Sequence, residues 1–131
     1  MTQETSPFKS SSGLARLFAA FRYSAQGLRA AVKHEAAFRQ ELMACVVLVP
    51  LAVWLGDTLG QTLVLIAALL FVLMVELFNS ALEAIADSVT LEHHPLIGRA
   101  KDLGSAAVLL AILAAAMVWF AVLFDSGSLA L

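Results

Sequence analysis

Three apolar runs, separated by short polar stretches, dominate the chain. Residues 42–55 are fourteen without a charge, 58–75 are eighteen, and 103–124 are twenty-two. A hydrocarbon core of about 30 Å takes about 20 helical residues to cross. The second and third runs meet that length as they stand. The first meets it if its helix begins near Ala36 and the Arg39 side chain reaches back to the headgroups. Three membrane spans are therefore predicted, at about 36–56, 58–87 and 103–124.

A different pattern precedes them. Leu14, Leu17, Phe18, Phe21, Ala25, Leu28 and Val32 recur at intervals of three and four, with Arg16, Arg22 and Arg29 between them. That periodicity predicts an amphipathic helix over about 14–34, lying on an anionic membrane surface. Taken alone, the pattern asks for no more than an anchor. The polar stretch 1–13 has no apolar segment of the kind a secretory signal needs and reads as a loosely held tail. Residues 125–131 read as a second tail, leaving 14–124 as one domain. The fold class is an all-α membrane protein.

Composition agrees: 61% of the residues are hydrophobic, too many for a soluble domain of 131 residues to cover with a polar shell. Charge adds an orientation. Six of the eight lysines and arginines fall between Lys9 and Arg39, and the other two are Arg99 and Lys101. The turn "GDTLG" and the terminal "DSGSLAL" carry acids only. The positive-inside bias then puts the N-terminus and the second loop in the cytoplasm and the C-terminus outside. With the basic residues committed to membrane flanks, no surface remains for nucleic acid. Cys45 is the single cysteine and sits in an apolar run, so it reads as a small buried hydrophobe without a disulfide partner in the chain.

The chemistry concentrates in "VELFNSALEAIAD", 75–87. At about 100° per residue, Asn79, Glu83 and Asp87 fall about −60°, −20° and +20° from Glu76. The four polar side chains share one helix face, which lipid would penalise; the stripe must face protein, ions or water. Asp57 to Glu76 is a rise of about 28 Å, which puts Glu76 at the inner interface and Glu83 and Asp87 beyond it. Glu35, Arg39 and Glu41 reach the same level, as do Lys101 and Asp102 at the expected start of the third span. Such a plane suits two substrates arriving from different phases. Carboxylates can hold Mg²⁺ together with phosphates, basic residues neutralise phosphate, and a further carboxylate can take a proton from a hydroxyl. The same residues read equally well as helix caps and interfacial ion pairs.

Soluble phosphate-binding signatures are absent: there is neither G-x-x-x-x-G-K-[ST] nor G-x-G-x-x-G. The adjacent pair His93–His94 reads as a solvated loop before it reads as a metal site. Ala107, Ala111 and Ala115, four residues apart, would let helix backbones approach closely and suggest self-association. Two alternatives from other classes remain at this point, a small ion or proton transporter and a structural subunit. A transporter would place its acids nearer mid-bilayer and on more than one span.

The stretches "GLRAAVKHEAAFRQE", "VELFNSALEAIAD" and "GRAKDLGSAAVL" resemble the prokaryotic diacylglycerol kinase family of small membrane lipid kinases. The likeness runs from about Arg16 to Trp119. It implies a homotrimer with active sites shared between subunits, ATP as co-substrate and Mg²⁺ as cofactor. It also implies direct phosphorylation of diacylglycerol to phosphatidic acid at the cytoplasmic face of a bacterial inner membrane. By motif, Glu76 matches the general base for the lipid hydroxyl, and Glu35 and Glu83 match the metal-holding pair. Around ATP the resemblance places Arg16, Tyr23, Glu35, Asn79, Glu83, Glu92, His93, His94, Lys101 and Asp102. Along the lipid path it places Arg16, Arg39, Gln40, Glu41, Trp54, Glu76, Ser105 and Trp119. His93 stands where relatives commonly carry tyrosine, and Ala19, Ala25 and Gln26 where they often carry tryptophan or lysine. "HHPLIG" is also similar to the undecaprenol kinase branch, which makes undecaprenol the alternative lipid.

Overall fold

A computed structural model describes residues 12–128, with side chains as far as 125; most of the expected N-terminal tail and residues 129–131 lie outside it. Four helices follow one another: α1 (Gly13–His34), α2 (Ala36–Leu55), α3 (Leu59–Val89) and α4 (Pro95–Ser128). Two compact units result, α1 with Glu35 in one and α2–α4 in the other.

Local chemistry sets the helix ends. In α1 the Ser12 hydroxyl accepts from the Ala15 amide at 3.2 Å, and Lys33 and His34 in the last turn complement the helix dipole. In α3 the Thr58 hydroxyl accepts from the Gln61 amide at 3.2 Å, while the Gln61 side-chain oxygen accepts from the Asp57 amide at 2.8 Å. Gly56 is required in that turn, since a Cβ there would run into the Thr62 side chain and the Ala52 carbonyl. At α4 a ring nitrogen of His94 accepts from the Leu96 amide at 3.2 Å, and Pro95 occupies the first helical position, where its missing N–H costs nothing.

α4 starts earlier than its apolar run suggests. Hydropathy marks the lipid-crossing part from Leu103, but the helix is already established by Pro95, so Lys101 and Asp102 sit in its second turn and not at its start. It also continues past Phe124 to Ser128. Polar helix outside the hydrocarbon is invisible to a hydropathy count.

α3 is the central helix of its unit and packs on both α2 and α4. Its closest fit is with α4, where Ala68 and Val72 meet Ala111 and Ala115, flanked by Val75, Val118 and Trp119. The small side chains bring the two backbones together. This corrects the reading of the alanine stripe: Ala111 and Ala115 serve packing within the chain, and only Ala107 remains exposed.

α2, α3 and α4 are each long and apolar enough to cross a membrane, and protein covers only 11%, 22% and 6% of their apolar windows. Leu63, Leu70, Phe78, Leu110, Met117 and Phe120 all stand outward. So much uncovered apolar surface is unsustainable in water and needs lipid or further protein around it.

Candidate functional site

The polar stripe on α3 forms as one helix face. Glu76 is its innermost member, buried with 4% of its surface exposed. Glu83, two turns on, is half-buried, and Asp87 is exposed. The stripe therefore runs from a carboxylate enclosed by protein to one in the open, along about 16 Å of helix. Glu41 on α2 lies close enough to Glu76 for their charges to interact. One Glu41 oxygen is buried without a hydrogen-bond partner, as is the Ser80 hydroxyl. Both belong to the unit that carries Glu76.

Further along, the Asn79 amide donates to Glu83 Oε1 at 3.1 Å. A carboxylate accepts only, so the amide nitrogen must face it. Asn79 Oδ1 then points away, buried and unbonded, toward Gly104 on α4. Asp87 pairs with the Lys101 ammonium, tying the end of α3 to the second turn of α4.

Beside that ion pair, the α3–α4 connection lines an open hollow of about 380 Å³. Asp87, Glu92, His93, His94 and Lys101 line it, with Gly98 among its small residues. Four residues expected around a nucleotide thus share one polar hollow. Asp87, Thr90, Leu91, Ile97 and Gly98 complete it, and none of them stood among the expected site residues. Asp87 was legible as part of the stripe; Gly98 carries no signal, because only the fold brings it there. Asp102 and Ser105 are exposed on α4 and do not line the hollow.

A second cavity, about 370 Å³, opens among α2, α3 and α4. Leu48, Leu69, Val72 and Ile112 make its wall apolar, and Glu41 is its one charged residue. Trp119 also lines it, held by an indole N–H bond to the Leu65 carbonyl at 3.2 Å. Trp54, expected on the same path, is 78% exposed on the last turn of α2 and is not among the lining residues. Arg39 and Gln40 are exposed in the first turns of α2.

Arg16, Tyr23 and Glu35 belong to the first unit. Arg16 is exposed in the first turn of α1. Tyr23 is half-buried beneath the Arg22 guanidinium, 5.4 Å from its ring centre. Glu35 closes the helix, its amide donating to the Ala31 carbonyl at 2.9 Å.

Among the described residues no three His, Cys, Asp or Glu side chains group as a metal cage. Magnesium bound together with phosphates asks for less, one or two carboxylates. Glu83, held in orientation by Asn79, offers the hard oxygen donors that such an ion takes.

The sequence model of the family described as "Prokaryotic diacylglycerol kinase" matches residues 22–123. A protein of Pseudomonas aeruginosa named "Diacylglycerol kinase" is 47% identical over 118 residues, covering 90% of this chain and 96% of the relative. The Escherichia coli K12 protein of that name is 46% identical over 113 residues, 86% of this chain and 93% of its own. The Haemophilus influenzae protein of that name is 43% identical over 112 residues, with 86% and 95% covered.

Proposed function

The chain belongs to the prokaryotic diacylglycerol kinase family, and from that membership we propose that it uses ATP to phosphorylate diacylglycerol to phosphatidic acid. Glu76 is the general base. It accepts the proton of the lipid hydroxyl as that oxygen attacks the γ-phosphorus; the new O–P bond forms while the bond to the β-phosphate oxygen breaks, and ADP leaves. The buried Glu76 carboxylate at the head of a stripe that becomes progressively exposed carries this reading. Most of the acceleration comes from placing both substrates and neutralising phosphate charge.

The remaining roles are those that the family resemblance implies. Lys101, with Arg16, Tyr23, Glu92, His93, His94 and Asp102, surrounds the nucleotide. Glu83 and Glu35 would hold Mg²⁺, with Asn79 orienting Glu83. Bound there, the ion would supply positive charge that offsets the phosphates. The apolar cavity with Glu41 at its wall suits acyl chains, and Arg39, Gln40, Ser105, Trp54 and Trp119 flank the lipid's approach. α1 lies on the cytoplasmic surface of a bacterial inner membrane, joined with the spans into one working domain over 14–124. The N-terminus and the α3–α4 loop are cytoplasmic and the C-terminus is outside, an orientation that the placement of the basic residues supports. Three copies assemble with active sites shared between chains.

Purified protein, presented in matched mixed micelles with diacylglycerol or undecaprenol and labelled ATP, tests the substrate. Phosphatidic acid should be the dominant product. Faster labelling of undecaprenol would overturn the lipid assignment, and no labelled lipid in either arm would overturn the activity.

A further inference from the structure

Gly104 sits in the middle of a regular helical stretch, with ordinary helical backbone angles. Conformation does not require glycine there, and after proline glycine is the poorest residue for a helix interior. Space does require it. Gly104 is buried, and a Cβ built on it would collide with Asn79 Oδ1, pass 3.4 Å from Asn79 Cγ, and meet Leu82 Cδ2 only at ordinary contact, 3.8 Å. At Gly98, six residues earlier on the same helix, a Cβ would meet nothing within 4 Å. The demand at position 104 is thus for one neighbour, the Asn79 amide.

That amide has two ends. Its nitrogen donates to Glu83 Oε1, and its oxygen lies against the bare backbone of Gly104, buried and without a hydrogen bond. An amide so placed cannot turn over, because its oxygen would then face a carboxylate that has no hydrogen to give. Making room for a Cβ would therefore mean moving the Asn79 side chain, and with it the bond to Glu83.

We propose that Gly104 is a positioning residue for the nucleotide end of the site: its missing side chain seats Asn79, and Asn79 in turn aims the Glu83 carboxylate. The inference rests on the reading that Glu83 serves the metal–nucleotide complex. Gly104 touches no substrate itself.

The test is a double-substitution cycle in the full-length protein, reading KM for MgATP, kcat and thermal stability in detergent. Gly104→Ala should raise KM for MgATP about tenfold or more, the size expected when a carboxylate ligand loses its orienting partner, with a smaller change in kcat. Asn79→Ala should do the same. Once Asn79 is trimmed the Cβ has room, so the Gly104→Ala/Asn79→Ala protein should show no further loss beyond Asn79→Ala alone. Should Gly104→Ala fail to fold, the double variant should fold, because the colliding atoms are gone. Additive losses, an unchanged KM in Gly104→Ala, or a double variant that also fails to fold would each overturn the proposal. Glu83→Gln separates this from the underlying reading. If that change leaves KM for MgATP unmoved, the role of Glu83 is wrong; if it raises KM while the cycle is additive, only the positioning role of Gly104 is wrong.

Discussion

At the scale of single residues, the stripe on α3 gives chemically similar side chains different surroundings. Glu76 is enclosed, whereas Glu83 is half-open and hydrogen-bonded to an amide. A proton acceptor for a lipid hydroxyl belongs in the first setting and a metal ligand in the second. Glu76→Gln keeps the shape and removes the basicity, so turnover should fall by about 10²–10⁴, the usual worth of a positioned general base. Nucleotide binding, measured directly with a labelled analogue, should remain. Glu83→Gln should show the opposite division, with KM for MgATP rising about tenfold or more. Full turnover in Glu76→Gln would remove the assigned base. The stripe was legible in the sequence because helical spacing alone puts its members on one face. Its partners were not. The seat of Asn79 on Gly104 and the Asp87–Lys101 pair depend on how α3 meets α4, and no periodicity within either helix encodes that register.

Among the elements, α3 and α4 show where hydropathy informs and where it misleads. Three long apolar helices follow from three apolar runs, since a backbone in lipid must satisfy its hydrogen bonds internally. The early start of α4 does not follow, because Arg99, Lys101 and Asp102 break the apolar run while the helix is already formed from Pro95. The alanine spacing was visible, yet its partner was not: small residues permit a close approach without saying by which helix. In this chain Ala111 faces α3 and is 2% exposed. Ala111→Leu should therefore overpack the α3–α4 contact and cost about 1–3 kcal/mol, seen as a lower melting temperature in detergent. Ala114→Leu, on an exposed side of the same helix, should change stability by less than about 0.5 kcal/mol. Equal losses from both would mean that Ala111 does not form the contact described.

For the whole molecule, the decisive quantity is surface that the chain cannot cover. Three helices bury little of one another, and outward-facing leucines, valines and phenylalanines extend along all of them. Lipid can cover part of it, and further copies of the chain the rest. If the copies share active sites, as proposed, Glu35 of one chain works with Glu76 of another. That arrangement has a consequence that a site built within one chain does not. Assayed at MgATP well below KM, Glu35→Gln chains assembled alone should keep about a tenth of the wild-type rate or less, and Glu76→Gln chains about a hundredth or less. Unfolded together, mixed in equal amounts and refolded, they should regain activity, because a Glu76→Gln chain still supplies Glu35 and a Glu35→Gln chain still supplies Glu76. With random mixing in a cyclic trimer, about one site in four carries both intact carboxylates, so about a quarter of the wild-type rate should return. Mixing after assembly, without exchange of chains, should add nothing to those residual rates. If co-refolding also adds nothing while the oligomer forms, each chain must hold Glu35 and Glu76 of its own site, and sharing of these two residues is excluded.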